Sequence, residues 1–320
     1  MKLLKRILLV LSMLVFVVVL TEFVRVPRYE RDNIWRTGDQ DVLVMAHAGG
    51  RKMNPGNTMK AMEYSFALGV DVLEMDIQMT SDGVLVLRHG ENGSGNIRAM
   101  SNCDGLLYEM TYQEAYENCN FGYHFEDQFG EYPYQNLLFE EWVEEGIYLT
   151  KLEEVFETFK DGILYNIEIK ADLDADGFTM ADKLADLIVE HNLEEDVLVA
   201  TAFDDISAYL VQQYPNLSIS ASLGEAREMV IKTLSFRNFF YQPSAYAALQ
   251  LPVSYEFPVI NTLDLTMKRI VRFTHKHNMA MHYWTINEEE EMVRLIEAGA
   301  DGIITDDPAL LIEVLNDLNN

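Results

Sequence analysis

From residue 42 onward, short apolar runs rich in Val, Ile and Leu alternate with segments of helical period, the pattern that parallel βα units impose on a chain. Strands are predicted near 42–47, 71–78, 164–170, 197–203, 217–222, 257–261, 279–285 and 302–305. Helical periods occupy 58–68, 151–160, 179–191, 205–214, 223–233, 265–277, 288–298 and 308–318. A further apolar run, Val84 to His89, follows the second strand after only Thr80-Ser81-Asp82-Gly83. Four residues cannot carry a parallel crossover, so this run returns antiparallel as a hairpin. The remaining strands predict an α/β fold, a (β/α)8 TIM barrel, with functional groups at the C-terminal strand ends.

The N-terminus is of a different kind. Lys2, Lys5 and Arg6 precede a nearly uninterrupted apolar run from Ile7 to Leu20, 14 residues, or 18 if extended to Val24. The first length suits a signal-peptide core and the second approaches a spanning helix. No small-residue cleavage motif follows, so residues 1–30 read as an uncleaved N-terminal transmembrane signal anchor and linker, ahead of a cleaved signal peptide or a buried core helix. Basic residues flank the run on both sides, and the short tail favours an N-inside orientation. The expectation is a single-pass anchor in the cell membrane, with the barrel domain, residues 31–320, outside the cytoplasm. The only cysteines are Cys103 and Cys119. In an oxidising compartment they would close a short loop worth about 3 kcal/mol, and as free thiols they would pack as small apolar groups; spacing alone does not choose.

The chain carries 24 basic and 52 acidic side chains, a net charge of −28. That excludes a general nucleic-acid binder, whose affinity comes from neutralising phosphates. Residues 90–150 interrupt the βα alternation with 12 acidic residues against one basic, Arg98, and with 12 aromatics. So aromatic a stretch is no solvated linker. It reads as an inserted subdomain leaning over the barrel mouth, or as a peripheral excursion with a small core of its own.

Val72-Leu73-Glu74-Met75-Asp76-Ile77 puts Glu74 and Asp76 two apart on a strand and so on one face. Inside a barrel two such carboxylates repel and are poorly solvated unless a cation lies between them. Tyr165-Asn166-Ile167-Glu168-Ile169-Lys170 repeats the arrangement with Glu168 and Lys170. Three carboxylates from two strand ends make a hard oxygen site for Ca²⁺ or Mg²⁺, and Lys170 beside them suits a phosphate oxygen. His47 ends the first strand and His89 ends the hairpin. Both overhang one rim, as an acid/base pair would.

These residues carry a resemblance. His47-Ala48-Gly49-Gly50, Asn54-Pro55-Gly56-Asn57-Thr58, Gly69 to Asp76 and Thr80 to His89 resemble the N-terminal signature of the glycerophosphodiester phosphodiesterase family. Leu152 to Phe156, Asn166 to Lys170, Trp284-Thr285-Ile286-Asn287 and Gly299 to Pro308 resemble its later blocks, in order. The resemblance covers about residues 41–312 and is weakest in 204–260. It implies a metal-dependent phosphodiesterase on a barrel, releasing glycerol 3-phosphate and an alcohol. By position, Glu74, Asp76 and Glu168 resemble the ligands of a divalent cation, Ca²⁺ or Mg²⁺, and His47 and His89 the acid/base pair. Lys170 resembles the phosphate contact and Trp284 a pocket wall, and Arg51 and Asn57 fall among the substrate-binding positions.

Three positions depart from the family pattern: Ala48 stands where Arg is usual, Gly56 where Glu is, and Gly90 where Asp is. The first removes a phosphate contact that Arg51 or Arg88 would have to replace, the second a carboxylate near the metal, the third an orienter of His89. Three functional readings follow: hydrolysis of glycerophosphodiesters, a lysophospholipase D-like activity on lysophospholipids near the membrane, and a barrel that binds phosphodiesters with weakened turnover. Elsewhere, Asp172-x-Asp174-x-Asp176 starts like an EF-hand loop but has Lys183 at its twelfth position, so it reads as a helix cap. His191, His275 and His277 read as surface residues, and His282 as a core histidine or a barrel-lining one.

Overall fold

The computed structural model describes residues 2–23, 26–38, 42–90, 96–160, 162–171, 176–235, 237, 241, 245–256 and 262–319. After helix α1 (Lys2–Phe23), the chain runs β1 (Leu43–Ala46), α2 (Met59–Leu68), β2 (Val72–Met79), β3 (Leu85–Leu87), α3 (Tyr112–Asn118), α4 (Phe139–Glu144), α5 (Leu152–Thr158) and β4 (Leu164–Ile169). It continues α6 (Gly177–Glu190), β5 (Val197–Ala200), α7 (Asp204–Gln213), β6 (Ser218–Ile219), α8 (Leu223–Leu234), β7 (Ala248–Leu251), β8 (Ser254–Tyr255), β9 (Leu263–Asp264), α9 (Lys268–Lys276), β10 (Ala280–Tyr283), α10 (Glu289–Ala298), β11 (Gly302–Thr305) and α11 (Pro308–Leu318).

Parallel pairing runs in the order β6-β5-β4-β2-β1-β11-β10-β7. Backbone bonds from Ala247 N to Ile219 O (2.8 Å) and from Ala221 N to Ala248 O (2.9 Å) join the two ends of that order and close the barrel. The short β3 turns back antiparallel along β2, as four connecting residues require. A parallel sheet covered on both faces needs largely apolar side chains, and β5 and β11 are buried at every residue. Helices start where a side chain satisfies a free amide: Thr58 accepts from Ala61 N, Asp176 from Thr179 N and Asp307 from Leu310 N. Asp176 thus serves as a cap, while residues 172–175 of the EF-hand-like stretch lie outside the described residues.

Two expectations about the barrel need correction. The segment 257–261 lies outside the described residues, and the sixth barrel strand is instead the earlier β7, which pairs with β10. The start of that strand gives little local signal because small Ala247 and Ala248 have weak β propensity, yet both are buried where β7 passes the crowded barrel floor. His277 is not a surface residue. It is 1% exposed, and its Nδ1–H donates to Pro27 O at 2.7 Å. That bond is part of an N-terminal arm, residues 26–38, laid across the N-terminal strand ends. Tyr29 N donates to His277 O (2.8 Å), and Asn33 Nδ2 to Ala247 O and Asn278 O (2.7 Å each). Trp35 enters the barrel and is fully buried with Met45, Val72, Leu198, Ala248 and Ile304, its carbonyl 3.3 Å from His282 Nε2. His282 is therefore a core histidine at the floor, its basicity lowered by burial.

The N-terminal helix α1 forms as the apolar run predicts, but among the described residues no helix is long and apolar enough to cross a membrane. The expected spanning anchor is thus not supported by the fold.

Residues 96–150 form a loop-rich excursion with two short helices. Cys103 and Cys119 are disulfide-bonded. Val86, Ile97, Leu107, Ala115, Cys119, Phe121 and Leu149 make a separate small core, bordered by Tyr112, Tyr116, Phe139 and Trp142 in ring contact. Removing Trp35 should leave a cavity in the barrel floor. Trp35→Ala should destabilise the protein by about 3–5 kcal/mol in urea unfolding, and a loss below about 1 kcal/mol would show that the arm does not support the barrel.

Candidate active site

Strand register assembles the site. Across β2 and β4, Asp76 pairs with Glu168 and Glu74 with Asn166, so the three predicted carboxylates face one space at the C-terminal strand ends. Their oxygens lie within 4.8 Å of one another, with Glu74 and Asp76 4% and 1% exposed. The neighbours answer that crowding. Lys170 Nζ lies 2.8 Å from Glu168 Oε1 and 3.3 Å from Asp76 Oδ1. Ala48 N donates to Glu74 Oε2 at 2.7 Å. Asn57 Nδ2 donates to Asp76 Oδ2 at 2.9 Å and its Oδ1 accepts from Asp76 N at 3.1 Å. Burial, then the Asp76 charge, push Glu74 up to about 7 against the pull of His47. For Asp76 burial is outweighed by Lys170, His89 and His47, and its carboxyl is held low. A cluster of three hard oxygen donors with so few compensating charges fits a divalent cation of the Ca²⁺ or Mg²⁺ type.

The histidines arrive by the same logic. Ala46 pairs with Thr305 across β1 and β11, so the next residues, His47 and Asp306, meet. His47 Nδ1 lies 2.6 Å from Asp306 Oδ1. Burial lowers the imidazole's basicity, but Glu74, Asp306 and Asp76 outweigh it and the pKa is raised. Asp306 is further fixed by Arg51 Nε at 2.7 Å and by Asn287, whose Nδ2 donates to Oδ2 at 2.9 Å. His89 follows β3, and its Nδ1 is 2.9 Å from Gly90 O. A carbonyl only accepts, so Nδ1 carries the proton there and Nε2 is left for the cleft. Gly90, at φ +77°, thus presents a carbonyl to the ring where the family pattern has an aspartate.

A cleft of about 450 Å³ opens above these groups. The barrel contributes His47, Arg51, Asn57, Asp76, Arg88, His89, Asn287 and Asp306 to its lining, and the excursion contributes Ala99, Met100, Phe121, His124 and Phe125. Of the predicted residues, His47, His89, Asp76, Arg51 and Asn57 line the cleft, and Glu74, Glu168 and Lys170 gather behind them around Asp76. Trp284, past the end of β10, is 46% exposed and is not among the residues lining this cleft. Asn57 lines it, but both ends of its amide are engaged by Asp76, so it positions a carboxylate. Asp306 and Asn287 went unassigned in the sequence reading. Their signal was topological: the first and last strands of a closed barrel are neighbours, so residues just past them must meet. Gly56 also has a local reason, since a Cβ there would lie 2.8 Å from Arg51 Cβ and 3.0 Å from Ala48 Cβ.

With this geometry in place, the comparisons with known proteins decide the family. Residues 47–310 match the glycerophosphoryl diester phosphodiesterase family. The chain belongs to that family. It is 28% identical over 278 residues to the glycerophosphodiester phosphodiesterase of Caldanaerobacter subterraneus, covering 85% of this chain and 97% of that one. It is 26% identical to the lysophospholipase D GDPD1 of Rattus norvegicus, with 86% of each chain covered. Among solved structures, the glycerophosphoryl diester phosphodiesterase from Silicibacter pomeroyi superposes with a TM-score of 0.68 at 20% identity, over 89% of this chain and 96% of that one. A phosphodiesterase from Oleispira antarctica, solved with the product sn-glycerol-3-phosphate, gives 0.61 at 15% identity, over 85% and 96%.

The His47–Asp306 contact carries a stability prediction. Burial opposes ionisation of Asp306, but His47 and Arg51 hold its carboxyl down to about 2. A carboxylate held below its unfolded value of about 3.9 contributes stability that is complete above that pH and lost as pH falls toward the folded value. Asp306→Asn should therefore remove roughly 2 kcal/mol of the stability lost on acidification between about pH 4 and 2. An identical pH profile in urea titrations of the two proteins would contradict this.

Proposed function

We propose that the protein hydrolyses glycerophosphodiesters to glycerol 3-phosphate and an alcohol, with a divalent cation at Glu74, Asp76 and Glu168. The observation that carries this reading is the clustering of those carboxylates around Asp76, which lines one cleft with two histidines whose Nδ1 atoms are already engaged. The family and the relatives named for this activity support it.

Bound there, the cation would supply positive charge for the phosphoryl oxygens and ease deprotonation of the attacking glycerol hydroxyl. The remaining work falls to the chain. Asp306 fixes the tautomer and plane of His47, and the Gly90 carbonyl does the same for His89. Each ring then offers Nε2 to the cleft, so one imidazole accepts the proton of the attacking glycerol hydroxyl while the other gives a proton to the departing alcohol oxygen, and the cyclic glycerol phosphate left behind is opened to glycerol 3-phosphate by water with the two rings exchanging roles. Lys170, between Glu168 and Asp76, tempers their repulsion and brings a cation to the phosphate side.

Chelator should lower release of glycerol 3-phosphate from glycerophosphocholine by at least about 100-fold, with recovery on adding Ca²⁺ or Mg²⁺, and Glu74→Gln should mimic chelation. Release that survives both treatments would sink the metal-dependent reading.

The same proposal places the protein at a membrane with the barrel outside the cytoplasm. Leu4, Ile7, Leu8, Leu9, Val10, Leu11, Met13 and Phe16 of α1 are all exposed, an apolar surface that water disfavours. The Cys103–Cys119 bond supports an oxidising compartment. Full-length protein should sediment with membranes and the chain without residues 1–30 should not; equal partitioning of both would refute membrane attachment through α1.

A further inference from the structure

Arg88 lies directly after β3, beside Asp76, whose carbonyl accepts from Arg88 N at 2.7 Å. The residue is only 2% exposed, and it lines the cleft with His47 and His89. Its guanidinium is tucked under the insertion, 4.7 Å from the centre of the Phe121 ring. Yet Nε and Nη1 are buried with no hydrogen-bond partner among the described residues. A ring face attracts a guanidinium but does not accept its N–H groups in the plane, where a fork of donors needs oxygen. Leaving such donors unmet is costly, and the fold supplies no acceptor.

The other cations at the cleft are already engaged. Arg51 Nε donates to Asp306, Lys52 Nζ is 2.5 Å from Asp307 and Lys170 Nζ is shared by Glu168 and Asp76. Arg51 is also half exposed, at 49%. Ala48 has no polar side chain to offer.

We propose that Arg88 is the residue that grips the phosphodiester, its guanidinium N–H groups donating to the non-bridging phosphate oxygens, while Phe121 of the insertion holds the guanidinium in place. This rests on the phosphodiesterase reading above. Planar, paired donors suit a phosphate oxygen pair better than the point charge of a lysine. The insertion is built to keep Phe121 still. Cys119, two residues earlier, is bonded to Cys103, and Asn120 between them donates to Tyr134 O at 2.6 Å and accepts from Gly122 N at 2.8 Å. The acidic, aromatic excursion thereby contributes to substrate affinity through a cation that belongs to the barrel.

The test uses the full chain with equal added Mg²⁺, and reads calorimetric binding of inorganic phosphate alongside KM and kcat for glycerophosphocholine. Arg88→Met keeps the volume and removes the donors; phosphate affinity should fall and KM rise by about tenfold or more. Arg88→Lys should recover part of the loss, and Phe121→Leu should raise KM severalfold with the thermal midpoint nearly unchanged. Arg51→Ala should leave phosphate affinity close to wild type while lowering kcat through Asp306 and His47. A folded Arg88→Met protein that binds phosphate within twofold of wild type would overturn the proposal. So would Arg51→Ala accounting for the whole loss. If Arg88→Met does not fold, Phe121→Leu reads the same contact, and unchanged phosphate affinity and KM there would also overturn it. Phosphate binding needs no turnover: Arg88-dependent binding in a protein that cleaves no diester would uphold the anion grip while removing the hydrolase reading.

Discussion

Three carboxylates held within 4.8 Å of each other, two of them buried, are an arrangement that repels itself, and much of the surrounding chain is disposed to contain it. Lys170 is placed on the same strand to share Glu168 and Asp76. Ala48 takes a left-handed conformation, φ +49°, as its amide meets Glu74, and Asn57 does likewise at +57° as its side chain brackets Asp76. Non-glycine residues adopt that region at some energetic disadvantage. The loop after β1 is therefore shaped by the carboxylates below it, and Gly56 is the point where that loop has room for no side chain.

The global charge of −28 looks unsuited to an anionic diester, but its distribution resolves the conflict. In the excursion, Glu109, Glu117, Glu126, Glu131, Glu140 and Glu144 are exposed, whereas Phe121 and Trp142 are buried. These acids form a solvated outer surface over the buried rings of Phe121 and Trp142. At the cleft the balance is different: Arg51, Lys52 and Arg88 line it, and a cation on the carboxylates would invert the sign of the most acidic spot.

Most of the barrel was legible because its physics is local. Alternating apolar runs and helical periods located seven of the parallel strands, and the four-residue turn distinguished the β3 hairpin from a crossover. Where local signal failed, a long-range reason stands behind it. The stretch leading into β7 carries small residues because the arm and Trp35 crowd the floor there, a fact that exists only after closure. His277 looked like one face of an amphipathic helix, and only the returning arm buries it. The carboxylates and both histidines were legible from spacing and family pattern. Asp306 was not, because its role depends on the first strand meeting the last.

The arm across the floor also orients the molecule. The chain enters the barrel at the N-terminal strand ends, pinned there through Pro27, Tyr29 and Asn33, while the cleft opens at the opposite ends. A pull applied at residue 26 is taken up by the floor and leaves the carboxylates undisturbed. The arm and the cleft thus occupy opposite ends of the barrel. Whatever enters the cleft comes in at the end the arm leaves open, so the floor can be tied down without narrowing the route to the carboxylates.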